Sequence, residues 1–482
     1  MIQMNLTHAQ KAKTVMIGAM YRQGRKLDFS PNIQSMIQHW PANHRLLSLC
    51  SGRYNQQWAR YCILSSSNDG WIFLEDDQGQ GRNIHIRGNS VIDLPTSDPF
   101  DGLRFVQNDP EHEQHLWLGY LSYDMGRWVE VLPQNTKRDR GWEVGVMHAC
   151  EGWLVYDMAD QSWQACGAWA NTLPDWLTQV FDSASNQSTS SYDLHYTISD
   201  FVGEVDSQTH EQNVQKTLDY ISAGDIFEAN IAQRFSASFS GGHMATRGLF
   251  LDMLNVSPSW YAGYMECLTY DGAERILASI SPELFLEVDQ HNHVVTRPIK
   301  GTRPAHVDPQ ELLDSVKDWA ELNMVVDMMR NDLGRVCAYR TVRVIQERII
   351  ESHPTIHHGV ATIEGTLKKD KDLYDLLRSA MPGGSITGAP KVRAMEIIEE
   401  LESVRRGPYT GGIGLIYQNQ MLMNIAIRTA AIEMDANGSG VLDYSVGGGI
   451  VADSVPREEF DETLDKMAAM KRAIKQGHYR QY

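Results

Sequence analysis

A chain of 482 residues exceeds what one compact core usually holds, which implies two large units or several subdomains and room to bury a deep site. Hydrophobic residues at 42% and charged residues at 22% match globular averages and exclude collagen-like or largely disordered architectures. A net charge of −18 opposes long-range attraction to nucleic acid or an anionic membrane, so an anionic small ligand would need a locally basic pocket.

The opening MIQMNLTHAQKAK has no hydrophobic core of the kind a signal peptide carries, and no apolar run approaches the roughly 18 residues that span a bilayer, so a cytoplasmic location is expected. The six cysteines (50, 62, 150, 166, 267 and 337) are scattered without a CxxC pair and read as reduced packing residues. Short apolar segments at 45–50, 60–65, 71–75 and 152–157 alternate with Gly, Asn and Asp clusters, the pattern of strands joined by turns. DSASNQSTSSYD (182–193) has no large aliphatic side chain and marks a boundary between an N-terminal unit, 1–190, and a second unit, 195–482.

Past that boundary, Thr209 and Gln212 form a capping-box pattern, Val214, Leu218 and Ile221 share one face, and Gly224 is placed to end a helix. A strand signal follows at 226–239, with others at 293–300 and 421–434, and helical patterns at 309–330, 390–403 and 456–476. The order lacks the regular βαβ alternation of a doubly wound fold and points to α+β with antiparallel sheets.

On the helix expected after Pro456, Glu459, Glu462 and Lys466 fall on one face, and Asp318 and Glu321 do the same on the 309–330 helix. Magnesium takes oxygen ligands, often one or two carboxylates completed by substrate and water, so the two pairs form a plausible site where their faces meet. Spacing alone describes two solvated helix faces equally well. GGSITGAPKVRAM (383–395) places flexible glycines before Pro390 and puts Lys391 in a first helical turn, where free N–H groups suit an anion. Its spacing is wrong for a Walker loop and no Ser or Thr follows the lysine, so it gives no support to ATP binding.

The same chain carries PIKGTRP (298–304), ELNMVVDMMRNDLGRV (321–336), IHHGVATIEGTL (356–367), RRGPYTGGIG (405–414) and GGGIVADS (447–454). In this order the blocks resemble the chorismate-utilising enzymes, and GYLSYDMGR (119–127) resembles the N-terminal unit of the anthranilate and aminodeoxychorismate synthases among them. The resemblance implies antiparallel sheets packed as a sandwich, flanked by helices, with the active site in a deep cleft. It implies Mg²⁺ on Glu321 and Glu462, with Glu459 and Asp318 supporting it, and Lys466 beside the metal-bound substrate carboxylate. Tyr409, Arg428 and the backbone at Gly448 and Gly449 would hold the other carboxylate, a planar group suited to the donor fork of arginine. Ser385 matches a hydroxyl of the glycine-rich loop and His358 the active-site histidine, whereas His357 reads as structural. Zinc on His353, His357 and His358 is disfavoured, because neither cysteine nor HExxH spacing accompanies them.

Within this family Lys300 is the informative position. A lysine there resembles the aminodeoxychorismate synthases, in which it is thought to attack ring C2 and displace the C4 hydroxyl before ammonia adds at C4; anthranilate synthases, the alternative reading, usually have a small residue there. Such an amine must be neutral, so its pKa is expected to be lowered by burial or nearby cations, with Arg303 and the metal as candidates. Glu283 in SPELF matches a general acid or base for the leaving hydroxyl and incoming amine. Three positions depart from the family pattern: Glu228 where glutamine is usual, and Leu284 and Ala305 where arginine is usual. No segment resembles a glutamine amidotransferase, so ammonia is expected from a separate glutaminase subunit.

Overall fold

A computed structural model describes residues 12–76, 78–185, 193–354 and 356–479. Among these residues the strands form two sheets, one of thirteen strands and one of twelve, in which all strand pairings are antiparallel. The first sheet runs from Ser162–Gly167 through Gly152–Asp157, Tyr61–Ser65, Leu47–Cys50, Tyr261–Glu266, Glu274–Ser281 and Thr429–Met434 to Ser439–Ile450 and Glu228–Ser240. The second runs from Ile299–Pro304 through Ile356–Thr366, His293–Arg297, Leu284–Val288, Gln420–Asn424 and Gly412–Tyr417 to Leu116–Leu121, Gly145–Cys150 and Gly70–Glu75. Strands from before residue 170 and after residue 225 therefore share both sheets.

The sheets pack face to face. Tyr61, Ile63, Ile72, Leu118, Leu277 and Ile413 all belong to one buried cluster that joins them. Their chain neighbours point the other way, Cys62, Leu64 and Ile276 into a layer that includes helix Gly242–Val256, and Trp71, Phe73 and Trp117 into a layer that includes helices Val316–Val336 and Leu373–Ala380. Side chains alternate across a strand, so a strand covered on both faces needs apolar residues at every position. That is why these segments read as unbroken apolar runs, and the expected α+β sandwich flanked by helices is what forms. All six cysteines are buried and free, and no helix among the described residues is long and apolar enough to cross a membrane.

Several boundaries differ from expectation for identifiable reasons. The helix expected from Thr209 starts at Ser207, because the Asp206 side chain accepts from Thr209 N and acts as the cap; Gly224 ends it in the left-handed conformation at φ 83°. The 293–300 signal is two strands, His293–Arg297 and Ile299–Pro304, separated at Pro298, which has no N–H to give a ladder. The 309–330 pattern divides at Ser315, whose hydroxyl caps Val316–Val336, and the 456–476 pattern divides at Met467. Of the 182–193 boundary, residues 182–185 continue helix Asp175–Ser185, and 186–192 lie outside the described residues.

Candidate active site

Of the places where the chain crosses between the two sheets, two lie side by side and each carries a candidate residue. Ser281-Pro282-Glu283 links Glu274–Ser281 of the first sheet to Leu284–Val288 of the second, and 425–428 links Gln420–Asn424 back to Thr429–Met434. The crossings are tied by Ile425 N donating to the Glu283 carbonyl at 3.1 Å and Ile280 N to the Arg428 carbonyl at 3.1 Å. Arg428 has φ 51°, uncommon for a non-glycine residue and held there by these flanking bonds.

Lys300 reaches the same place by a bulge. Ile299 pairs with Val360 and Thr302 with His358, so Lys300 and Gly301 together oppose Gly359. Gly301 has φ 79°, and a Cβ there would stand 2.9 Å from Asp318 Oδ1. An extra residue in one strand re-aims the side chain beside it. The Lys300 ammonium meets Glu228, first residue of Glu228–Ser240 and almost fully buried. Gly449, on the neighbouring strand, leaves the pair its space: a Cβ there would stand 2.8 Å from Lys300 Nζ.

This corrects the expectation for Lys300. Burial works to lower its pKa, but the charge and hydrogen bond of Glu228, aided by Glu321 and Glu283, outweigh it and leave the ammonium raised. Arg303, the expected cation, is engaged with Asp318 at 2.8 Å. Glu283 is pushed up to about 7, first by burial and against the opposing effects of the Ser385 hydroxyl, Lys300 and Arg428. Ser385 is itself buried, in the turn Gly384–Ile386.

His358 is neutral, its pKa driven well down by burial and by Arg428. Arg428 Nη2 lies 3.5 Å from Nε2, and Nδ1 lies 3.0 Å from Thr302 Oγ1. Since arginine only donates, Nε2 accepts and Nδ1–H donates to Thr302. Among the described residues Arg428 has no carboxylate within ion-pair distance, unlike Arg406, which holds Glu402 at 2.6 Å, and Arg234, which holds Glu204 at 3.0 Å. Its guanidinium is thus available to an anion. Tyr409 is buried in the loop leading to Gly412–Tyr417. His357 is engaged with Ser352 Oγ at 2.9 Å and the Ala305 carbonyl at 3.2 Å, as a structural histidine would be.

The family of chorismate binding enzymes matches residues 60–472. The chain belongs to that family. Aminodeoxychorismate synthase component 1 of Escherichia coli strain K12 is 35% identical over 414 residues, 80% of this chain and 85% of that protein. Anthranilate synthase component 1 of Thermus thermophilus is 41% identical over 282 residues, 57% of this chain and 58% of that one. The crystal structure of anthranilate synthase component I from Streptococcus pneumoniae TIGR4 has a TM-score of 0.70 at 26% identity, covering 87% of this chain and 93% of that chain.

In this chorismate-binding enzyme the remaining candidates line the helices beside Lys300. Glu459 and Glu462, on Pro456–Lys466, approach the missing Cβ of Gly448 to 3.2 Å and 3.8 Å. Burial and the charge of Glu462 raise Glu459 against the Ser454 hydrogen bond, and burial with Glu228 and Asp318 pushes Glu321 up to about 7 against Lys300 and Lys317. Glu462 is lowered, because Lys466 at 2.7 Å outweighs its burial. Lys466 also donates to the Gly447 carbonyl at 2.6 Å. Glu321 and Glu459, held above their ordinary range, are short of positive charge, whereas Glu462 is exposed and already paired with Lys466; as oxygen donors the three suit a hard divalent cation. Among the described residues no three potential ligand groups are gathered at one point.

Glu228 is the member whose contact sequence reasoning missed. Its identity was visible as a departure; its pairing with Lys300 was signalled only by the glycine run 447–449 on the strand beside it. Leu284, the second departure, is fully buried in the core between the sheets. Lys391 does not present itself to an anion: it is paired with Asp332 at 2.5 Å and donates to the Ala380 carbonyl.

Proposed function

We propose that this protein aminates chorismate with ammonia to give 4-amino-4-deoxychorismate, the precursor of p-aminobenzoate and folate. The observation that carries this reading is Lys300, a buried primary amine turned by its bulge toward Glu283, Glu321 and Glu228. Its nitrogen attacks ring C2 while Glu283, protonated below about 7, gives its proton to the departing C4 hydroxyl. Ammonia then adds at C4, lysine leaves C2, and the Glu283 carboxylate takes a proton from the new amine.

Glu321 and Glu462, with Glu459 and Asp318 in support, would hold Mg²⁺, which would neutralise one substrate carboxylate when bound. The other carboxylate is assigned to Arg428, Tyr409 and the N–H groups at Gly448 and Gly449, and His358 steadies Arg428 through Nε2. Ser385 restrains Glu283. We assign the ammonia to a separate glutaminase subunit acting on glutamine in the cytoplasm, in keeping with relatives named as component 1.

The test is mass spectrometry of products after incubating the purified chain with chorismate, Mg²⁺ and ammonium at mildly alkaline pH, with Lys300→Ala alongside. Aminodeoxychorismate from the wild type and its loss in the variant is the expected result. Anthranilate with pyruvate would move the assignment to the anthranilate synthase reaction.

A further inference from the structure

The covalent step requires an uncharged Lys300, yet its ammonium is held in a buried ion pair. Among the described residues Glu228 is the one carboxylate within ion-pair distance of that nitrogen; Glu283, Glu321 and Glu462 act on it from farther off, and Glu462 is itself countered by Lys466 and Lys317. Glu228 is 2% exposed, and its second oxygen, Oε2, is buried with no hydrogen-bond donor. One oxygen of Glu228 thus takes the Lys300 proton's hydrogen bond while the other is left open, and passing that proton across the contact removes both buried charges at once.

We infer that Glu228 is the base that frees the Lys300 amine and the acid that recharges it. This rests on the covalent-lysine reading above. The Lys300 ammonium gives one proton to Glu228, leaving a neutral amine and a carboxylic acid. The amine forms its bond to C2 as the C4–O bond breaks, and the hydroxyl leaves as water with the Glu283 proton. When ammonia bonds to C4 and the C2–N bond breaks, lysine departs as a neutral amine and regains its proton from Glu228. Glutamine at this position is the same size and can still accept from Lys300 through its amide oxygen but has no site for the proton, so the chain's departure at 228 is functional in this account.

The test compares pH–rate profiles of the full chain at saturating chorismate, Mg²⁺ and ammonia. Glu228→Gln is expected to lower kcat on the order of 100-fold near neutral pH, and its residual rate to rise about tenfold per pH unit toward the lysine pKa. The wild type should lack that rise, and the KM for chorismate should change less than about threefold. A wild-type rate and profile in Glu228→Gln, or a loss that alkaline pH does not recover, overturns the inference. Lys300→Ala separates the two levels: full activity in it removes the covalent-lysine reading itself, whereas a dead Lys300→Ala beside a fully active Glu228→Gln removes only the role of Glu228. Should Glu228→Gln fail to fold, Glu228→Asp decides, because it must keep the wild-type profile at reduced rate, and a tenfold rise per pH unit in it overturns the inference.

Discussion

Replacing Gly449 by alanine tests the architecture around Lys300 without touching a charged group. The backbone there is not in the left-handed region, so alanine meets no conformational penalty of its own. What it meets is the ion pair, since the new Cβ would stand 2.8 Å from Lys300 Nζ and 3.1 Å from Glu228 Cδ, and nearer still to Glu228 Oε1. Comfortable separations for such atoms begin near 3.5 Å, so the pair must withdraw by roughly 1 Å. A displacement of that size at a reacting group costs on the order of 100-fold in rate, and the overpacking costs about 1–3 kcal/mol of stability. Gly448→Ala, in the same site, is the milder clash for comparison, because its Cβ finds its nearest neighbour, Glu459 Oε2, at 3.2 Å and the next at 3.8 Å. Steady-state chorismate consumption and thermal melting of both variants are the assays. A Gly449→Ala protein with wild-type kcat, or one no worse than Gly448→Ala, would refute the reasoning.

Arg428→Lys should raise the KM for chorismate about 10- to 100-fold with a smaller effect on kcat, since the planar two-donor contact is lost while the charge remains; initial-rate kinetics check it. Glu283 holds its proton up to about 7 in the folded chain against an ordinary 4.5, so the folded state binds more protons between those values and stability falls as pH rises through that window, by roughly 3 kcal/mol for this group. Glu283→Gln should therefore gain melting temperature relative to the wild type as pH goes from 5 to 8, and a constant difference across that range would count against the buried, protonated carboxyl. Asp332→Asn leaves the buried Lys391 ammonium unpaired and should cost about 3–5 kcal/mol in urea unfolding.

The family blocks were legible because they are local: the PIKGTRP segment, a glycine run and a carboxylate pair on one helical turn each declare themselves within a few residues, although the bulge at Lys300 and Gly301 was not among them. The strands were legible as apolar runs, and the α+β class followed from their order. What stayed hidden was contact between distant segments. Glu228 and Lys300 lie on different sheets, so nothing near Lys300 in sequence announces that it is held charged. Lys391 looked like a free cation at a helix start because its partner, Asp332, belongs to another helix. Asp206 took the cap from Thr209 for a smaller reason, since an aspartate three residues upstream accepts the backbone N–H of Thr209 itself and so starts the helix earlier.

The way the sheets are shared between early and late strands has a consequence for how the chain is made. Leu47–Cys50 pairs with Tyr261–Glu266, and Leu116–Leu121 with Gly412–Tyr417. At roughly 5–20 residues per second, a ribosome needs about 10 s to a minute to supply those later partners. Through that interval the strands bearing Leu47 and Leu118 each sit with one edge open and the apolar face between the sheets incompletely covered. Yield in the cell is then governed by how well nascent chains are shielded, and chaperone supply should change it more than any single residue of the site.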